Sequence, residues 1–168
     1  MATNLITQER LKSLLTYDPD TGEFRWRVRR GGNANPGSLA GSRNSEGYTH
    51  IQIDRVKHGA HRLAWIYTYG EHPVEVDHIN RVKDDNRIIN LRSVTHAQNS
   101  QNQNRPKNNT SGHIGVDFHK RSNRWRARIK IDGKLRDIGY FDTKEDAAFA
   151  RQRAEAEHLP FRMPDADT

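Results

Sequence analysis

Asp77 and His78 stand side by side at the end of an apolar run, and Asn90 and Asn99 follow within twenty-three residues. The stretch reads V-D-H-I-N-R-V-K-D-D-N-R-I-I-N-L-R-S-V-T-H-A-Q-N. These residue types suit one reaction. Hydrolysis of a phosphodiester needs a base to deprotonate water. It also needs charge to be offset on the phosphoryl oxygens and on the leaving oxygen. Histidine is the natural base near neutral pH. Carboxylate and carboxamide oxygens suit a hard cation such as Mg²⁺ or Mn²⁺. A carboxamide at Asn90 both donates and accepts, so it can tie down loop backbone. An isolated Asp-His pair is ordinarily a surface strand end, and Asn-rich loops are ordinarily turns. The ordered set on one frame is what points to chemistry.

That frame is strand, loop, strand, helix. The apolar strand ends at Asp77-His78, whose adjacent side chains point to opposite sides. The pair serves one phosphate only if the strand end twists one of them toward the other. Leu91–Val94 reads as a second short strand, and Thr95–Asn102 as a helix. Thr95 with Gln98 forms a T-x-x-Q capping box at its start. Asn99 lies one turn after the cap and can face back toward Asp77, with Asn102 the next candidate for that role. His61, beside Leu63-Ala64-Trp65-Ile66, reads as a packed histidine on a short buried helix. His96 is a rival ligand at the helix start. The other six histidines show no ligand spacing.

Upstream, Thr7 caps a short helix with Leu11, Leu14 and Leu15 on one face. Y-D-P-D-T-G-E is a turn. Phe24, Trp26 and Val28 alternate with arginines, as in a half-buried strand. Residues 31–47 form a loop, and Ile51 and Ile53 lie on another strand.

The chain has 168 residues, 33% of them hydrophobic, and a mean hydropathy of -1.03, so its cores must be small. It has no cysteine, which excludes disulfides and thiolate zinc sites and fits a reducing cytosol. No apolar run approaches the roughly 18 residues of a membrane span. The opening M-A-T-N-L-I-T-Q-E-R lacks signal-peptide regions. The net charge of +7 favours polyanions only weakly, but its location is informative. Lys120, Arg121, Arg124, Arg126, Arg128, Lys130, Lys134 and Arg136 occur with Asp132 as the sole acid between them, so this segment alone carries the excess.

Trp125, Ala127, Ile129 and Ile131 alternate there with Arg124, Arg126, Arg128 and Lys130. This is a strand with an apolar face, Trp125 in the core, and a cationic face. Asp132-Gly133 signals a hairpin, Arg136–Tyr140 a return strand, and T-x-x-D at Thr143 a final helix with an Ala147, Ala150, Ala154 face. Charge alone can protect a solvated edge strand. Eight cations exceed that need, and the arginines suit guanine edges in a major groove. Arg121 and Arg136 read as phosphate contacts.

D-H-I-N…D-N-R…N-L-R…T-x-x-Q-N, with H-R-L-A-W at His61–Trp65, resembles the HNH endonucleases of bacteriophages and their homing-type relatives. The resemblance implies a ββα-metal motif. In it His78 is the general base, Asp77 and Asn99 hold one Mg²⁺ or Mn²⁺ per site, and Asn90 braces the loop. S-G-H-I-G-V…W-R-A-R-I-K-I-D-G-K…I-G-Y-F-D-T-K-E-D-A-A-F-A resembles the plant ethylene-response-factor (Apetala-type) DNA-binding domain. That resemblance implies a three-stranded antiparallel sheet backed by one helix and laid in the major groove of double-stranded DNA.

The expected class is α+β. Residues 1–60 support an HNH nuclease motif at 61–104. Residues 105–111 link it to a DNA-binding domain at 112–160, and 161–168 form a tail. The expected activity is metal-dependent cleavage of duplex DNA, by a monomer or homodimer. The alternative is a non-catalytic DNA-binding regulator on the same scaffold, against which the intact Asp77, His78 and Asn99 argue. RNA binding is disfavoured, because the sheet lacks exposed aromatics for stacking unpaired bases.

Overall fold

The computed structural model describes residues 5–32, 34–102 and 109–162. The architecture is α+β with small antiparallel sheets, in two compact units, Met1–His96 and Ala97–Thr168. The division falls ahead of the expected linker, whose residues 105–108 lie outside the described ones. So does the tail beyond residue 162.

In the first unit the Thr7 hydroxyl accepts from the Arg10 amide and caps α1 (Gln8–Leu14). Leu15 ends this helix and opens β1 (Leu15–Tyr17), which pairs with β2 (Phe24–Trp26). The strand expected to reach Val28 stops at Trp26. There Arg27 N donates to Leu14 O in the same register, but Leu14 is the last residue of α1, so the strand pairing ends. The loop expected at 31–47 contains a short edge strand, β3 (Ser42–Arg43), on β4 (Thr49–Ile53). β4 then pairs with β5 (Val56–Gly59). Two-residue alternation gave no signal for so short an edge.

α2 (Ala60–Tyr69) follows directly and ends at Gly70 in the left-handed conformation. It buries Leu63, Ala64 and Ile66 against Leu11, Leu15, Ile51 and Ile53. Each large aliphatic side chain so buried stabilises the fold by about 1.5–3 kcal/mol. β6 (Glu75–His78) packs on α2 and pairs antiparallel with β7 (Leu91–Val94). A 3₁₀ turn at Ile88–Asn90 leads into β7. The helix expected over 95–102 is shorter: α3 (His96–Asn99) tightens into a 3₁₀ turn at Ser100–Asn102.

The N-terminal hairpin supports the loop between β6 and β7. The Tyr17 hydroxyl donates to Asn86 O at 2.7 Å, and Ile88 N donates to Pro19 O at 3.1 Å. Gly22 makes this approach possible. Its φ is +76°, and a Cβ there meets Arg87 N and the Asn86 carbonyl carbon at 2.6 Å. Both neighbours are backbone, so neither yields easily. Gly22→Ala is therefore expected to destabilise the first unit by on the order of 2 kcal/mol, the left-handed penalty plus displacement of the loop. Thermal unfolding of the variant checks this, and an unchanged melting temperature refutes it.

In the second unit β8 (Val116–His119), β9 (Arg124–Ile131) and β10 (Lys134–Phe141) form one antiparallel sheet, order β10-β9-β8. Asp132 and Gly133 both take positive φ in the two-residue turn between β9 and β10. The Thr143 hydroxyl accepts from Asp146 N and caps α4 (Lys144–His158). Val116, Ala127 and Ala147 form the core, and Trp125, Ile138 and Phe141 pack around it half-buried. Trp125 is thus a wall of the core rather than its centre, because small alanines let helix and sheet approach closely. A bulge between Asp137 and Gly139 breaks the register of β10.

Candidate functional site

β6 carries both catalytic candidates to its end, where they alternate. Val76 and His78 share one face. Val76 joins the core, and His78 continues that face outward at 5% exposure. Its ring lies 5.1 Å from His61 and 6.1 Å from Tyr48, centre to centre. Asp77, 9% exposed, takes the other face, directly across the ladder from Arg92. Arg92 Nε and Nη2 both donate to Asp77 Oδ2, at 2.9 and 2.6 Å.

His78 Nε2 is 3.2 Å from Asn86 Oδ1. The Asn86 amide nitrogen donates to Asp84 O, which turns its oxygen toward the ring. Nε2 is then the protonated nitrogen, and the lone pair sits on Nδ1. Burial lowers the His78 pKa below its ordinary 6.5, against the opposing pull of Asn86 and Asp77. The imidazole is therefore neutral near pH 7, as a base must be.

Asn90 is buried and spans the loop. Its Nδ2 donates to Asp85 O at 2.8 Å, and its Oδ1 accepts from Asn80 N at 3.0 Å. Asp85 is gripped by Arg87 and by Asn80, and these bonds hold its carboxyl down at about 2. The loop that presents Asn86 to His78 is thereby closed at both ends.

The first unit thus assembles Asp77, His78 and Asn90 on one strand pair and its loop. Asn99 closes α3 and belongs to the second unit, as does the buried Asn102. His96 is exposed and sits 2.6 Å from Glu75 Oε1. Three residues of the surroundings went unread in the sequence. Arg92 follows from the strand register once β6 and β7 pair. Asn86 lies in the D-D-N-R run, where only its place in the loop marks it. Tyr48, between a loop and β4, gave no signal.

His61 packs on Gly59 and against His78, and its Nδ1 is buried without a partner. Burial, with His78 next in effect, pushes its pKa down to about 3. A histidine neutral in the fold but free to protonate when unfolded destabilises the protein as pH falls. The stability it contributes is complete above the ordinary 6.5 and is lost progressively down to about 3. At pH 5 the loss is about 2 kcal/mol. His61→Phe keeps a ring there and is expected to remove that part of the decline. Urea unfolding at pH 7 and pH 5 tests it, and equal declines in both proteins refute it.

Among the described residues no cluster of three or more His, Asp or Glu is placed to hold a metal. A carboxylate such as Asp77 is an oxygen donor of the kind a hard cation takes. Softer ions need nitrogen or sulfur clusters.

In the second unit Arg124, Arg126, Arg128 and Lys130 share the sheet face away from α4, as the alternation required. They are not all open to solvent. Asp117 bonds Arg126 and Arg128, and Asp142 bonds Arg124. Lys130 is exposed, as is Arg121 in the turn before β9; Phe118 and Tyr140 are exposed on the same sheet too, which overturns the expectation that it lacks exposed aromatics. Arg136 pairs with Ile129 and so lies on the opposite side of the sheet, also exposed.

Residues 58–101 match the HNH endonuclease family. The matched segment contains α2, β6, the Asn86–Asn90 loop, β7 and α3, and so all four candidate residues. The family match ends ahead of the C-terminal sheet. Protein 3.8 of Escherichia phage T7 is 32% identical over 74 residues, 44% of this chain and 61% of that protein. The chain thus spans about three-fifths of the curated relative it matches. No solved structure matches it. Among the described residues no helix is long and apolar enough to cross a membrane.

Proposed function

We propose that the chain is a metal-dependent endonuclease of the homing type that hydrolyses phosphodiester bonds in duplex DNA inside a cell. The observation that carries this is a buried, neutral His78 beside Asp77 within the HNH-matching segment. His78 takes the proton of the attacking water on Nδ1 while Asn86 fixes Nε2. Asn90 holds the loop that carries Asn86. Asp77 would hold the cation, with Arg92 fixing one of its oxygens, and Asn99 is the further ligand that the resemblance implies. A bound Mg²⁺ or Mn²⁺ supplies positive charge against the phosphoryl and leaving oxygens.

The C-terminal sheet, in the manner of an ethylene-response-factor domain, supplies DNA affinity and register through Arg121, Arg124, Arg126, Arg128 and Lys130, whereas Arg136, on the opposite side of the sheet, drops out of the contact set. The linker at 105–111 separates these two tasks. The test is relaxation of supercoiled plasmid by the full chain in Mg²⁺ or Mn²⁺. Binding of duplex without any nicking would favour the regulator reading instead.

A further inference from the structure

The exposed face of the C-terminal sheet is not the cationic surface that its sequence suggests. The cation-rich run begins after Asp117 and ends before Asp137 and Asp142. All three acids return to that face. Asp117 lies opposite Arg126 in the register, Asp137 opposite Arg128, and Asp142 bonds Arg124. Four cations, Arg124, Arg126, Arg128 and Lys130, meet three carboxylates. A surface that only neutralised phosphate would gain from losing those acids. The acids make sense if orientation matters more than charge.

Asp117 shows how. Its Oδ2 accepts from Arg126 Nη2 at 2.9 Å and its Oδ1 from Arg128 Nη2 at 2.8 Å. One carboxylate thus uses both oxygens to fix two guanidinium groups. Burial works to raise the Asp117 carboxyl, but the bond from Arg126 and the charge of Arg128 outweigh it, so it stays ionised. Tyr140 faces Arg126 from the other neighbouring strand, and its ring meets that of His119, 5.3 Å away. Arg126 and Arg128 are 20% and 31% exposed, so each is held at the surface and not swept through solvent.

A free arginine carries rotamer entropy, much of which is lost on binding. Fixing the fork beforehand lowers that loss. Two same-face residues on a strand lie about 7 Å apart, close to two base-pair steps. An outward guanidinium edge matches the O6 and N7 acceptors of guanine.

We propose that Asp117 is a specificity-determining residue, which orients Arg126 and Arg128 to read two guanines within about three base pairs of a duplex major groove. This rests on the reading that the sheet binds DNA.

The experiment selects binders from a randomised duplex pool with the full chain in EDTA, so that nothing is cut. The wild-type protein is expected to enrich a motif with two near guanines. Asp117→Ala is expected to lose that preference by roughly 5- to 100-fold at those positions. It should also bind scrambled duplex more tightly, since an acid has left the face. Arg128→Lys should lose one guanine only. Asp117→Asn keeps the size and one acceptor, and it decides the matter if the alanine variant melts the sheet. An Asp117→Asn or Asp117→Ala protein that selects the wild-type motif with the wild-type ratio overturns the role of Asp117 alone. A wild-type chain that binds no duplex overturns the DNA-binding reading with it. A wild-type motif without guanines overturns the assignment and leaves that reading standing.

Discussion

His78→Ala is expected to slow DNA cleavage by at least on the order of 10²-fold while duplex binding stays within about twofold. Cleavage and binding rest on different residues. A general base contributes about 10²–10⁴-fold, because the water it deprotonates is a poor nucleophile otherwise. In the proposed function duplex affinity comes from cations elsewhere, among them those of the C-terminal sheet, and His78 is buried and neutral. The variant leaves a space beside His61 and Tyr48, so His78→Gln is a useful companion, with an amide of similar reach. The pH profile gives a second reading. The base acts unprotonated, and burial has moved its pKa below 6.5. Wild-type cleavage should therefore hold down through pH 6.5 and fall only in more acid solution. Either variant cutting supercoiled plasmid at the wild-type rate would refute His78 as the base.

How far the site was legible depends on the type of signal. Local signals read well. The Thr7 and Thr143 caps, the Asp132-Gly133 turn and the strand at Leu91–Val94 are each set by residues within a few positions. The Arg124–Lys130 alternation set the face of a strand correctly, because a period of two is geometry. Charge read less well. Counting along the chain places Asp117, Asp137 and Asp142 outside the cationic run, whereas strand pairing returns all three to it. His61 shows the same limit: Leu63 and Ala64 beside it predict burial. That it packs on the ring of His78, seventeen positions later, follows only from how α2 meets β6. Asn86 needs the most. Its role depends on Tyr17 and Gly22, whose hairpin braces the loop from a distant part of the chain.

Asp77 carries the other large expected effect. Asp77→Asn should lower cleavage by on the order of 10²-fold or more, and EDTA should stop the wild-type enzyme until Mg²⁺ or Mn²⁺ is restored. A carboxylate contributes a full charge toward a hard cation, whereas a carboxamide contributes a dipole. Loss of about 2.7 kcal/mol of transition-state stabilisation suffices for a hundredfold. The Arg92 pair sharpens the test. Both of its bonds end on Asp77 Oδ2, and the pair is largely buried, with 19% and 10% of the side chains exposed. Asp77→Ala removes both functions of the residue and is expected to lower stability as well as activity. Asp77→Asn keeps an oxygen for Arg92, so its melting temperature should stay nearer the wild type while its cation requirement rises at least tenfold. Titrating Mn²⁺ into plasmid-cleavage assays of wild type and Asp77→Asn measures that shift. If the two proteins need the same cation concentration, Asp77 serves Arg92 and the fold alone. If the wild type cuts fully in EDTA, the chemistry belongs to His78 without a metal.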